Sequence, residues 1–282
     1  YEALKKVNPN TVLVCDSAFF LNKKDVDCYT RTRQIFLNGI EVEAWNFKHA
    51  FSRFCPDPDD CKLVAMTRRI EDQQQTTINW LAPKDQFVLE TTLGYEQVAV
   101  DLTAWLAQNE PDKYVKETYD FGLLEDFDHL YRYADLLEME QGIAAEWLVG
   151  RYTEIMPGRP TISHHRFPKD NVKRAINAKK SDVQTVLSTM IITAAEQQTM
   201  NYYMNISNFA TNDAARRLYE EIALVEEEHV THYESLMDPN ATWLEMLLWH
   251  EYCECYLYWS CYMTETDPYV KGLWEENLEM EI

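Results

Sequence analysis

Glu226 and His229 stand in LVEEEHVTHYESL, residues 224–236, where three glutamates and two histidines crowd one helix-favouring run. Carboxylates packed this closely repel one another unless water or a cation compensates. The three-residue spacing puts Glu226 and His229 on one helix face. The same spacing joins Asp126 to His129. Carboxylate oxygens beside an imidazole nitrogen form a metal-ligand set. Oxygen-rich sets with one His per metal suit iron or manganese better than zinc or copper. A lone Glu-x-x-His is common on solvated helix faces, so the case rests on what accompanies each copy.

An internal repeat supplies the company. Shifted by 100 residues, Glu96 falls on Glu196, Tyr119 on Tyr219, His129 on His229 and Tyr133 on Tyr233, while Asp126 falls on Glu226. Within each copy the two acids are 30 residues apart: Glu96 to Asp126 with Pro111 midway, Glu196 to Glu226 with Thr211 midway. Two helices folding back at the midpoint bring equidistant residues level. Fifteen residues at the helical rise place each acid about 22 Å from its turn. Two such hairpins packed together would converge four carboxylates and two imidazoles. Buried without compensation, such a group is very costly, and two divalent cations would neutralise it.

A glutamate from each of two helices plus Glu-x-x-His from each of two others is the ligand template of the di-iron and di-manganese carboxylate proteins. The chain resembles the ferritin-like superfamily of rubrerythrins, bacterioferritins and the small subunit of class I ribonucleotide reductase, over residues 86–238. The resemblance implies terminal ligands at Glu96 and Glu196, bridging ligands at Asp126 and Glu226, and one His per metal at His129 and His229. Asp126 departs from the usual Glu, which leaves Glu125, four residues before His129, as a backup ligand. The implied cofactor is two Fe ions, with Mn or mixed Mn/Fe as alternatives. Glu227 and Glu228 are expected at solvent or behind the ligands, and His232 as a neighbour. Tyr119, Tyr133, Tyr219 and Tyr233 either pack in the core or hydrogen-bond the ligands. His164 and His165 belong to a connecting loop that could cover the site.

The elements that must position these residues follow from periodicity. Residues 1–85 read as an irregular N-terminal extension, with short strands at TVLVC and RQIFLNGIEVEAW, the latter around an Asn-Gly turn. From Gln86 the period is helical. Helices are expected up to NEPD, then from KYVKE through VGRY, from SDVQ to TND, and from there to about Met237. The fold class is thus mainly α, a ferritin-like four-helix bundle over 86–238, with the N-terminal extension and a C-terminal helical hairpin over 239–282 whose last helix reads as truncated. The long connection is placed at about 141–180. In the last hairpin Glu251 and Glu281 are again 30 apart about Thr266. The neighbouring HEYCECYLYWSCYM suggests packing or an oligomer interface.

Composition excludes several classes. With 47 acidic and 26 basic residues the chain carries a formal charge of −21, which opposes nucleic-acid binding. No apolar run is long enough for a membrane span. Seven cysteines without a Cys-x-x-Cys pair argue against zinc knuckles. Cys55 and Cys61 could pair, although reduced thiols in a cytoplasmic protein fit better. The expected function is a non-haem di-metal oxidoreductase acting on O2 or peroxide and an unidentified substrate, with a separate electron donor and a homo-oligomer as an open option. The alternatives are ferritin-like iron storage, or a metal-free bundle acting as an interaction protein.

Overall fold

The computed structural model describes residues 21–149 and 172–282. All regular structure among these residues is helical: α1 (Cys28–Phe54), α2 (Pro58–Asn79), α3 (Val88–Asn109), α4 (Lys113–Gln141), α5 (Val183–Ile206), α6 (Asp213–Glu234), α7 (Trp243–Thr264) and α8 (Pro268–Glu281), with single 3-10 turns at Ala145–Trp147 and Ser207–Phe209. Consecutive helices pair as four hairpins. The chain divides into two compact units. Gln86–Ala241 carries α3 to α6, and the segment up to Asp85 joins Thr242–Ile282 to carry α1, α2, α7 and α8. No described helix is long and apolar enough to cross a membrane.

Polar caps start most of these helices. Asp27, Asp57, Asp112, Asp182 and Asp267 each accept a backbone N–H from the first turn, satisfying donors that a helix start leaves orphaned. Proline follows the cap of α2 and of α8, where a missing N–H costs nothing. Thr242 and Glu245 close a reciprocal capping box on α7. The turns fall where the hairpin reading placed them: Pro111 between α3 and α4, Thr211 before α6, Thr266 between α7 and α8.

Three expectations change. RQIFLNGIEVEAW is not a strand pair about an Asn-Gly turn; it lies inside α1, with Leu37, Ile40, Glu41, Ala44, Lys48 and Phe51 buried at three- and four-residue steps. Two of those inward positions are charged, which hides the helical period from an apolar pattern. The described part of the expected extension is therefore helical, in α1 and α2, and it forms one unit with the C-terminal hairpin. The helix from KYVKE does not reach VGRY either. It stops at Gln141 because Gly142 takes a left-handed backbone, φ 65°, as its cap. The TVLVC strand, Cys15, His164 and His165 lie outside the described residues. Cys55 and Cys61 form no disulfide, and among the described cysteines Cys253 and Cys261 are the buried ones.

In the unit of α3 to α6 the core runs along both hairpins, from Leu93, Tyr133, Leu137 and Ile222 to Leu106, Val115, Tyr119 and Ile192. The connection into α5 is tied to the end of α6: Ile176 N–H donates to the Leu236 carbonyl at 2.8 Å and Ala178 N–H to Asp238 at 2.9 Å. In α7, Cys253, Leu257 and Tyr258 turn inward, while Leu244, Leu248, Tyr252, Trp259 and Met263 form an exposed apolar stripe.

Gly122 lets α4 approach α6. A Cβ there would fall on the Tyr233 hydroxyl. Gly122→Ala is expected to destabilise the protein by about 1–3 kcal/mol through overpacking, read from the denaturant midpoint. Adding Tyr233→Phe, which removes the clashing oxygen, should recover most of that loss.

Candidate metal centre

Each hairpin of this unit delivers one acid from its first helix and an acid–histidine pair from its second. Glu96 comes from α3, Asp126 and His129 from α4, Glu196 from α5, Glu226 and His229 from α6. None of the six is more than 1% exposed. Their ligand atoms form two groups, each within 4.8 Å: Glu96, His129 and Glu226 in one, Asp126, Glu196, Glu226 and His229 in the other. Glu226 is the member common to both. Its Oε1 lies 2.9 Å from His129 Nδ1, and its Oε2 lies 3.0 Å from His229 Nδ1. Around this pair, His129 Nδ1 is 4.0 Å from Glu96 Oε2, and His229 Nδ1 is 3.7 Å from Asp126 Oδ1 and 3.8 Å from Glu196 Oε2.

Both oxygens of Asp126, both of Glu196 and Glu96 Oε2 are buried without a hydrogen-bond partner. Orphaned buried polar atoms are rare and costly. Here they converge on one small volume, and their donor chemistry fits divalent metal ions. Asp126, expected to bridge, joins only the group of Glu196 and His229, so Glu226 alone meets both histidines.

Glu125 does not join either group. Its Oε2 receives His229 Nε2 at 2.7 Å, on the far side of the ring, so it fixes which nitrogen His229 turns to the centre. The tyrosines expected beside the ligands pack instead. Tyr119 lies against Tyr233 at 5.7 Å between ring centres, and Tyr133 against Tyr219 at 4.9 Å. The hydroxyls of Tyr119, Tyr133 and Tyr233 have no hydrogen-bond partner, and that of Tyr219 pairs with Thr92 at 2.7 Å. The tyrosine that does reach a ligand candidate is Tyr203 of α5, whose hydroxyl donates to Glu96 Oε1. Sequence reading passed over it because it has no partner in the 100-residue repeat. Its place two helical turns after Glu196 was the available signal.

The electrostatics are lopsided. Burial, then the charge of Glu226, pushes Glu96 and Glu196 well above the usual carboxylate range. Burial takes Asp126 up to about 6 against the pull of His229. Burial would also raise Glu226, but His129 and His229 outweigh it and hold it far below its ordinary value. Burial would lower His229, yet Glu125, Glu196 and Glu226 keep it well above 6.5. Without metal the centre therefore stores protons, on Glu96 and Glu196 as acids and on His229 as imidazolium.

Glu228 and His232, expected toward solvent or as neighbours, are buried. They line a pocket of about 250 Å³ with Tyr114, Thr118, Phe121 and Lys173. The His232 ring lies 6.4 Å from that of His229. Burial, with Lys173 and His229 nearby, holds His232 down at about 3, so it is neutral.

Comparison with protein-family models, curated proteins and solved structures gives no match for this chain. The class that fold and site define is an all-helical protein with buried acid–histidine clusters compatible with metal binding.

Acids raised in the folded state lose stability as pH climbs from their unfolded values, near 4, through their folded ones. A raised His229 acts in the same direction above about 6.5. Glu226 acts oppositely, but its contribution is complete above about 5. The metal-free protein should therefore melt at lower temperature at pH 8 than at pH 6, and saturating Mn2+ should reverse that order. Scanning calorimetry with and without the ion measures both.

Proposed function

We propose that α3 to α6 form a ferritin-like four-helix bundle around a paired metal centre, and that the protein is a non-haem di-iron or di-manganese oxidoreductase. The observation that carries this reading is the sharing of Glu226: one carboxylate meets one histidine from each hairpin, with orphaned oxygens of Glu96, Asp126 and Glu196 around it. In this reading Glu96, His129 and Glu226 hold one ion, and Asp126, Glu196, Glu226 and His229 hold the other.

When bound, a redox-active pair supplies the electrons that reduce O2 or peroxide, replenished by a separate donor. The chain's own residues do the rest. Glu226 would be the carboxylate shared by the two ions. Glu125 orients His229 through Nε2. Tyr203 holds Glu96 through Oε1 and leaves Oε2 for the metal side. The packed pairs, Tyr119 with Tyr233 and Tyr133 with Tyr219, exclude water from the acids. The pocket beside His232 is the route by which a small oxidant approaches His229. Because uptake of metal must displace the stored protons, affinity falls as pH drops through the range in which Asp126 titrates.

Mass spectrometry of protein purified without added metal should find Fe or Mn. Glu226→Ala should remove about two ions per chain relative to wild type, and His129→Ala at least one. Unchanged metal content in Glu226→Ala would sink the paired centre. Anaerobic Fe2+ loading followed by O2 or peroxide tests the redox half separately: consumption no faster than that of Glu226→Ala leaves a metal-binding protein without this activity.

A further inference from the structure

The other unit carries a second buried acid cluster. Glu41 of α1, Glu71 of α2, and Glu254 of α7 are at most 1% exposed, and Glu251 and Glu281 complete the group. These acids also come in pairs 30 apart, Glu41 with Glu71 and Glu251 with Glu281. They stand at a constant offset of 55 residues from the metal-centre acids: Glu41 from Glu96, Glu71 from Asp126, Glu251 from Glu196, Glu281 from Glu226. The supporting tyrosine follows the same offset. Tyr258 donates to Glu41 as Tyr203 donates to Glu96. The two units thus repeat one arrangement of acids.

The inner cations differ. Gln74 occupies the position of His129, and its amide donates to Glu281 Oε1 at 2.5 Å, so the first of the two groups loses its imidazole. Lys48 occupies the position of Thr103 and takes one oxygen each from Glu71 and from Glu251, the latter at 2.8 Å. The second group survives with Glu254 added: ligand atoms of Glu71, Glu251, Glu254 and Glu281 lie within 4.8 Å. Both oxygens of Glu254, and Oε2 of Glu71, are buried with no hydrogen-bond partner. One ammonium serves four carboxylates, those of Glu71, Glu251, Glu254 and Glu281.

We propose that this cluster is a second cation site, holding one hard divalent ion such as Mn2+ or Mg2+ on Glu71, Glu251, Glu254 and Glu281, with Lys48 as a resident positive charge beside it. An all-oxygen donor set selects hard cations. The orphaned Glu254 carboxylate marks where the ion sits. Loss of the imidazole position limits the site to one ion, and a single Mg2+ or Mn2+ without histidine ligands serves to neutralise and stiffen the unit rather than to exchange electrons.

The test uses the full chain and Mn2+ alone. Equilibrium dialysis is run in high salt, which screens the exposed acids, with electron paramagnetic resonance of the bound ion. The Glu226→Ala chain, impaired in the other unit, is expected to keep one Mn2+ per chain with the spectrum of an isolated ion. Adding Glu254→Gln should weaken that binding by about tenfold or more. Glu71→Gln replaces it if circular dichroism shows that Glu254→Gln does not fold. A folded Glu226→Ala chain that takes up no Mn2+ overturns the proposal. So does binding indifferent to Glu254→Gln. So does binding that appears only after Lys48→Met, which would make the ammonium the only cation the cluster accepts. Glu226 lies outside this cluster, so failure of the paired centre leaves these readouts intact.

Discussion

Glu226 is fully buried and strongly favours its charged form, while Glu96 and Glu196 beside it strongly favour protons. That imbalance organises the unit of α3 to α6. Two imidazoles stabilise Glu226 most, and their pull on Asp126 and Glu196 does not overcome burial. Moving an ion into a low-dielectric interior costs several kcal/mol even after relaxation. A fold that gathers four carboxyl groups around one point, one of them held charged, needs rigid walls. The hairpins provide them through capped helix starts, short turns and two packed tyrosine pairs, Tyr119 with Tyr233 and Tyr133 with Tyr219. Gly122, which admits Tyr233 against α4, shows how closely those walls are fitted.

Much of the centre was legible because helix geometry converts sequence distance into height. Acids placed 15 residues either side of a turn must come level, and the 100-residue repeat said that this happens twice. All six ligand candidates consequently meet where the spacing put them. The roles within the cluster were less legible. Asp126 and Glu125 are adjacent in sequence, and only side-chain direction decides that one faces the centre and the other the outer nitrogen of His229. The tyrosines of the repeat matched in position, yet they pack on one another. Tyr203, which has no counterpart in that repeat, makes the hydrogen bond to Glu96.

The N-terminal helices were illegible for a physical reason. Glu41, Lys48 and Glu71 are charged residues on inward faces, so the apolar period that announces a helix is broken at the positions that matter most. An Asn-Gly pair inside α1 then resembled a hairpin turn. The acid spacing of 30 was present in this segment too, between Glu41 and Glu71 with Pro56 midway. It becomes meaningful only beside Glu251 and Glu281, some 200 residues further along, which close the same cluster.

The two units therefore pose one electrostatic problem with different means of solving it. In one, two imidazoles flank a shared carboxylate. In the other, an amide and an ammonium replace imidazole and hydroxyl, and Lys48 binds two acids directly. A tethered ammonium has a fixed charge and no electrons to exchange, whereas paired metals on mixed ligands can change oxidation state while carboxylates adjust around them. On the proposed reading, substitutions at only a few inward positions separate a centre suited to redox chemistry from one suited to holding charge. The hairpin spacing that brings the acids together is common to both, so the units differ in the positively charged or hydrogen-bonding groups set among those acids.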